Sequence, residues 1–484
     1  MGAGSAGIVE GSSLERLTHA IRRGFAAIEK MYPDAFFYEN VSLRGALERR
    51  VYQEALLDPG RLDGLAQASG DRSAFSEWLL PRVAATPFRD TWRYVKALLR
   101  LIEAGLRSGV RRDTGHGPEF VFHALRPRFI DFFQPVIEKL GSQRCAIFCE
   151  PGYGVEDAAA RHGLKVCERT PERLRRSGIN RPPRSVFALY SVAVVSLLDA
   201  LGTLRRHRPR AVVFAEAASF QEEILARAAR ALGVATVRLQ YGRAGLLSPG
   251  YYEMPYDKML MWGDGFVERL RGPSPDCQYV VTGSPLMDKL ARGQSQSSHK
   301  LFADGGPVVT VISQPECASI SRQDYATLTA IVDRALRANQ HLRVLVRLHP
   351  ADKATDFDRL AKQWPAQLRV TASREFPLDA VIGASVLVVG LYSTVLSEAA
   401  AAGVLPVVVR LGARHRVFPS PEEEGAAVLV TTPDEAVGAI NSLASDASAR
   451  KRYEEAMMAF TRKYFGPADG RAIDRIAEQI EAVA

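Results

Sequence analysis

Two stretches in the second half of the chain carry residue types suited to holding a phosphate. Val344-Leu345-Val346-Arg347-Leu348-His349-Pro350 reads as a buried strand ending in Arg-x-His-Pro. An imidazole there stands at the carboxyl end of the strand, where open α/β sheets bind ligands. Pro350 would stop the strand and fix the loop's direction. Further on, Val388-Val389-Gly390-Leu391-Tyr392-Ser393-Thr394 runs from strand through turn into helix. Ser393 fits an N-cap, and with Thr394 it sets two hydroxyls where a helix start leaves N–H groups free, a combination that attracts anions. Glu398, one turn on, could meet a ribose hydroxyl or close the helix cap. Alone, a strand-end histidine is commonly structural and a Ser-Thr start is commonly a cap. Both in one sheet point to the phosphate of a nucleotide.

A carboxylate at a strand end can serve as a general base. Two glutamates stand after strands and beside turns: Glu150 after Cys145–Cys149, and Glu216 after Ala211–Ala215. Arg410, Arg414, His415 and Arg416 come after another strand and could meet a pyrophosphate or an acidic sugar, or merely face solvent. Gly152-x-Gly154 is too short for a dinucleotide fingerprint. No P-loop, His-Glu-x-x-His or strand-end Asp-x-Asp is present, so neither NAD nor a catalytic metal is expected. The only small molecule implied is the donor itself.

These residues need strands and helices to carry them. The first 116 residues read as helical: Ser12-x-x-Glu15 offers a capping box, and Leu14, Leu17, Ile21, Phe25 and Ile28 recur at helical spacing. A second amphipathic stretch, Trp92–Ile102, interleaves basic residues with apolar ones. Docking on the next domain is its plainer reading, and a peripheral membrane role stays open. From about Glu119 short apolar strands alternate with helical segments. The polar stretch Ala291–Lys300 interrupts this alternation, which restarts at Val308–Ile312. The fold class is therefore α/β, with two doubly wound, Rossmann-like parallel sheets expected to face a cleft. The expected domains are a helical extension (1–116), a first Rossmann-like domain (117–295), a second (296–465) and a last helix (466–484) packing back on the first.

Composition narrows the class further. The chain has 484 residues, 47% hydrophobic and 24% charged, which is globular rather than disordered. Lys and Arg number 63 against 54 Asp and Glu, a balance of +9, but no zinc-finger, RNP-type or basic-heptad pattern accompanies it, so nucleic acid is not an expected partner. The five cysteines are scattered without a Cys-x-x-Cys pair, which fits a reducing cytoplasm. No secretory start is visible. Even the apolar run Ser191–Gly202 falls short of the ~18 residues of a membrane span.

The order of several motifs resembles the bacterial surface-polysaccharide glycosyltransferases of GT-B architecture, which include capsule, lipopolysaccharide and sialyltransferase-like enzymes and teichoic-acid polymerases. The resemblance rests on Leu239-Gln240-Tyr241-Gly242, Asp257–Gly263, Val281-Thr282-Gly283-Ser284-Pro285-Leu286-Met287-Asp288, Arg347–Pro350, Ser393–Ala399 and the tail Lys463–Ala472. It implies a cytoplasmic enzyme, at or near the inner face of the membrane. That enzyme would move a sugar, of CMP-activated sialic acid or Kdo type, to a glycan or lipid-linked acceptor. By the same resemblance His349 and Pro350 sit near the nucleotide phosphate and leaving group, Ser393 and Thr394 bind the phosphate, and Glu375 corresponds loosely to a ribose contact. Tyr241, Arg347 and Arg414 would meet acceptor or phosphate, the domain 117–295 would hold the acceptor and 296–465 the nucleotide-sugar donor. Glu216, where relatives carry an acidic residue after this strand, is slightly favoured over Glu150 as the base for the acceptor hydroxyl, and a retaining mechanism would leave both in supporting roles. One departure stands out. Where relatives carry Gln-His-Gly, this chain has Gln240-Tyr241-Gly242, and a Tyr with a pKa near ~10 is a poor base at neutral pH. This weakens a polyol-phosphate transferase reading, and the alternatives are a non-catalytic nucleotide-binding scaffold of a polysaccharide-assembly complex, or a polyol-phosphate transferase or sugar-nucleotide epimerase.

Overall fold

The computed structural model describes residues 13–57, 62–76, 78, 87–106, 117–150, 152–175, 178–180, 182–215, 219–242, 249–291, 301–302, 307–314, 321–349, 352, 355–373, 375–391, 393–411 and 418–483. They fall into two units. One takes the described residues up to Met261, with Val267–Val280 and 474–483; the other takes Trp262–Phe266 and Val281–Ile473.

In the first unit, helices α1 (Ser13–Met31), α2 (Arg44–Leu57), α3 (Leu62–Ser69) and α4 (Pro87–Leu106) precede the main sheet. A short antiparallel pair, β1 (Phe37–Tyr38) and β2 (Val41–Ser42), lies between the first two. The spacing that predicts α1 also fixes its buried stripe: Leu17, Ile21, Phe25 and Ile28 are all in the core. Gly24 on that helix has a packing reason, since a Cβ there would lie 2.8 Å from the Phe75 ring. Ser12 lies outside the described residues.

Seven strands come next: β3 (Phe120–Ala124), β4 (Cys145–Cys149), β5 (Lys165–Val166), β6 (Ala211–Ala215), β7 (Ala235–Leu239), β8 (Lys258–Met261) and β9 (Gln278–Val281), ordered β5-β4-β3-β6-β7-β8-β9. The ladders from β5 through β8 are parallel. β3, β4 and β6 are buried along their whole length, as expected of strands covered on both faces. The covering helices include α5 (Pro127–Leu140), α6 (Val155–Arg161), α7 (Arg184–His207) and α8 (Phe220–Ala231). α7 is longer than the apolar run Ser191–Gly202 suggests. Val186–His207 is long and apolar enough to cross a membrane by length and composition, yet 67% of its apolar window is buried. Its packing partners are α2, α3, α4 and α8, so it reads as a core helix of this unit.

The helical region is bolted to this sheet by buried charges. Arg49 of α2 pairs with Glu223 of α8 at 2.7 Å, both side chains being buried, and donates to the Gly250 carbonyl at 2.7 Å. Beside them Arg238 lies 3.4 Å from Glu222, which accepts from the Tyr256 hydroxyl at 2.9 Å. Charges this deep persist only when paired. The described residues before 117 thus share one unit with the first sheet.

The second unit holds β10 (Val308–Ile312), β11 (Arg343–Arg347), β12 (Leu368–Thr371), β13 (Ser385–Gly390), β14 (Leu405–Val409) and β15 (Val428–Val430), ordered β12-β11-β10-β13-β14-β15 and parallel throughout. Short α9 (Asp264–Arg271), whose first residues belong to this unit, and α10 (Pro285–Ala291) come first along the chain. α11 (Arg322–Ala338), α12 (Thr355–Gln363), α13 (Leu378–Gly383), α14 (Thr394–Ala401), α15 (Pro433–Ser445), α16 (Ala447–Lys451) and α17 (Glu454–Phe465) come after them. Ser321 and Asp324 form a full capping box on α11, which starts as sequence signals require. Ile312, Val388, Leu396, Ala399 and Val408 knit the sheet to α14. The last helix, α18 (Ala472–Glu481), begins in this unit, where Asp288 accepts the N–H groups of Ala472 and Ile473 at 3.1 Å each. Both doubly wound parallel sheets expected from the sequence are present.

Candidate nucleotide site

β10 is the first strand of the second sheet in chain order and lies in the sheet's interior. The chain leaves it for β11 on one side and returns to β13 on the other. Such a reversal opens a crevice beyond the strand carboxyl ends, the usual ligand position in open α/β sheets. The register brings those ends level: Ile312 pairs with Arg347 on one side and with Gly390 on the other.

The residues just past each strand supply the site. After β10, Ser313 is buried, and its N–H donates to the Arg347 carbonyl at 3.0 Å. Its hydroxyl donates to Asp352 Oδ2 at 2.5 Å and accepts the main-chain N–H of His349 at 3.1 Å. Asp352 in turn donates its own N–H to the His349 carbonyl at 2.9 Å and lies 3.4 Å from the Tyr325 hydroxyl. Burial, with the Asp352 carboxylate beside it, pushes the Tyr325 hydroxyl above its usual range. The turn bearing His349 is thus held by its main chain, and the imidazole is left exposed.

After β13, Ser393 is the N-cap of α14, with extended backbone and its Oγ accepting from the Val395 N–H at 3.2 Å. Thr394, the first helical residue, is exposed. Glu398 is half-buried, near enough to act on the charge of Arg347. His349, Ser313, Ser393 and Thr394 therefore lie past three adjacent strands at one end of the sheet.

Two expected contacts have other partners. Arg347 donates to the carbonyls of Phe376 at 2.6 Å and Ser373 at 2.8 Å, so its guanidinium braces the loop after β12. Burial holds its pKa below the ordinary arginine range, opposed by Asp379 and Glu398. Glu375 lies past β12, the edge strand, and so does not stand between His349 and Ser393. Its carboxylate accepts from Thr371 at 2.7 Å and pairs with Arg369, and those two contacts hold it below the usual range. The ribose reading of Glu375 rests on chain order, whereas sheet order moves it outward. Pro350, Arg414 and Glu216 lie outside the described residues.

In the first unit, Glu150 comes directly after β4, and its carboxylate lies 2.6 Å from Arg169, which also holds Asp199 at 2.9 Å. Tyr241 lies past β7 and packs on aromatic residues of α5, its ring 4.7 Å from Phe129 and 4.9 Å from Phe132, with Arg128 at 5.5 Å. Gln240 fixes this turn by donating to the Gly242 carbonyl at 2.9 Å. Among the described residues no three His, Cys, Asp or Glu side chains group to hold a metal ion.

Three of the sequence motifs serve packing. Trp262 stacks on Phe465 at 5.7 Å, Ser284 donates its N–H to the Phe465 carbonyl at 3.0 Å, and Asp288 caps the start of α18. A Cβ on Gly263 would meet the Lys463 carbonyl at 2.4 Å, and Gly466 sits at φ 68° against Gly283. Trp262-Gly263, Gly283–Asp288 and the tail Lys463–Ala472 thus form one junction in the second unit. Sequence reasoning misses Ser313 and Asp352, although a serine directly after the first strand of a restarted alternation is a usable signal.

No family model matches the sequence, and no curated protein matches it either. Solved structures do. A putative UDP-N-acetylglucosamine 2-epimerase from Listeria monocytogenes matches with a TM-score of 0.54 at 12% identity, over 75% of this chain and 96% of that one. The UDP-GlcNAc 2-epimerase from Neisseria meningitidis, bound to UDP-GlcNAc, gives 0.52 at 12%, over 75% and 99%. The shared fold is the GT-B architecture. At this identity the likeness is one of fold.

Proposed function

We propose that the chain is a sugar-nucleotide enzyme that holds its donor at the chain reversal of the second sheet and transfers the sugar to a glycan or lipid-linked acceptor. The observation that carries this is the convergence of the capped start of α14 with the His349 turn that Ser313 and Asp352 fix. The free N–H groups of the helix start, with Ser393 and Thr394, would receive a phosphate. The exposed His349 imidazole would stabilise charge as the phosphate departs, a role worth several kcal/mol in a preorganised site. Glu216, or failing it Glu150, would take the acceptor proton.

The finer reading, a CMP-linked acidic sugar as donor, rests on the resemblance of Arg-x-His-Pro and Ser-Thr to sialyltransferase-like enzymes. A second reading, epimerisation of a UDP-sugar, is favoured by the fold likeness to two UDP-GlcNAc 2-epimerases. Calorimetric titration with CMP, UDP, CDP and GDP separates the donor bases. Product analysis separates the reactions, because transfer releases free nucleotide in an acceptor-dependent way, whereas epimerisation leaves a changed sugar on its nucleotide. Nucleotide binding without turnover of any sugar-nucleotide would leave a non-catalytic nucleotide-binding scaffold, and absence of binding to all four would overturn the nucleotide site.

A further inference from the structure

A groove of about 1330 Å³ lies in the first unit between α4, α7 and the segment leading into α7. Its lining combines two chemistries. Leu98, Ile102 and Leu106 of α4, spaced four apart, stand along it with Phe187 of α7. All three α4 residues are exposed, Leu106 by 79%, while Ala97, Ala104 and Leu101, the last also lining the groove, are buried. An apolar row facing water marks an interaction surface.

The second chemistry is cationic. Arg173, Arg175, Arg184 and Arg205 line the same groove against one acid, Glu172, which is ion-paired with Arg205. Arg175 also stands 3.9 Å from Glu39, outside the groove lining, which leaves Arg173 and Arg184. Arg184 lies 4.9 Å over the Tyr94 ring, and Arg173 donates its Nε to the Gly105 carbonyl at 2.7 Å, so both are tethered to α4 itself. Arg175 is largely exposed beside them. Hydrocarbon beneath exposed arginines complements an amphiphile with an anionic head.

We propose that this groove seats an anionic phospholipid of a bilayer surface, with acyl chains along Leu98, Ile102 and Leu106 and the phosphate among Arg173, Arg175 and Arg184. The seat lies outside the nucleotide site and does not depend on that reading.

Vesicle flotation of the full chain tests it, using phosphatidylcholine alone and phosphatidylcholine mixed with phosphatidylglycerol. Binding is expected only to the mixed vesicles, weakening as salt rises. Ile102→Asn with Leu106→Asn should lower partitioning about ten-fold or more. Arg173→Gln with Arg184→Gln should lower it about ten-fold. Circular dichroism checks that each variant is folded. Hydrogen exchange on the unaltered chain needs no variant: amides over residues 94–106 should gain protection on adding mixed vesicles. No flotation, equal flotation with both vesicle types, binding unmoved by either folded pair, or protection confined to other segments would each overturn the proposal.

Discussion

The Ser313 hydroxyl donates to Asp352 at 2.5 Å, and the same oxygen receives the main-chain N–H of His349 at 3.1 Å. A side chain after the central strand therefore sets the turn after its neighbour. Ser313→Ala should disturb the position of His349 and lower turnover, while Ser313→Thr, which keeps the hydroxyl, should retain more activity than alanine. Equal activity in both would show that the hydroxyl does not position the turn.

His349→Ala should reduce turnover about 10²–10³-fold. Its imidazole is exposed, so the melting temperature should hardly move. Turnover within a few-fold of the unaltered enzyme would take His349 out of the mechanism.

Ser393→Ala combined with Thr394→Ala removes the α14 cap and both hydroxyls. Stability should fall by about 1 kcal/mol, and nucleotide affinity by about ten-fold or more. Unchanged affinity in calorimetry would reduce the pair to a cap.

Glu150 is already bound to Arg169, which ties it to Asp199 as well. Glu216→Gln should therefore lower turnover about 10²–10⁴-fold with nucleotide affinity preserved, and Glu150→Gln should cost less. The reverse order in steady-state kinetics would transfer the base to Glu150.

His123 is buried on β3 between Phe148 and Phe214, 5.9 and 5.8 Å away. Burial, with the nearby Arg169 charge, holds its imidazole down to about 3 against an ordinary 6.5. Between those values the unfolded chain binds a proton that the folded one refuses, so stability rises with pH there. It is fully present above about 6.5 and is lost as pH falls toward 3, with a slope of up to about 1.4 kcal/mol per pH unit. Replacing His123 with Phe should flatten denaturant-derived stability over pH 4–6 relative to the unaltered chain; an unchanged slope would show that His123 does not set it.

Much of the fold was legible because its signals are local. Parallel strands buried on both faces read as apolar runs, and β4, β6, β10 and β14 appear where those runs lie. The start of α14 was equally plain, since strand, glycine and Ser-Thr are consecutive. Partners distant in sequence were not legible. Arg347 looked available for a phosphate until the loop at 373–376 supplied two carbonyls, and Glu375 looked central until its strand proved to be the edge. The Gly283 and Lys463 motifs carry the resemblance, yet their roles here are in packing, since steric necessity and chemistry leave the same trace in a single sequence.

The buried pairing of Arg49 with Glu223 also constrains how such a chain can diverge. Helix α2 and helix α8 are far apart in the gene, yet α2 inherited without α8 would leave Arg49 an uncompensated charge in its interior, whereas Glu223 keeps Arg227 one turn along α8. Recombination that exchanges the first sheet between relatives must bring α2 along, or meet a hydrophobic replacement at both positions at once. The region ahead of β3 is thereby locked to its sheet in evolution, free to change its outer face but not to be traded away.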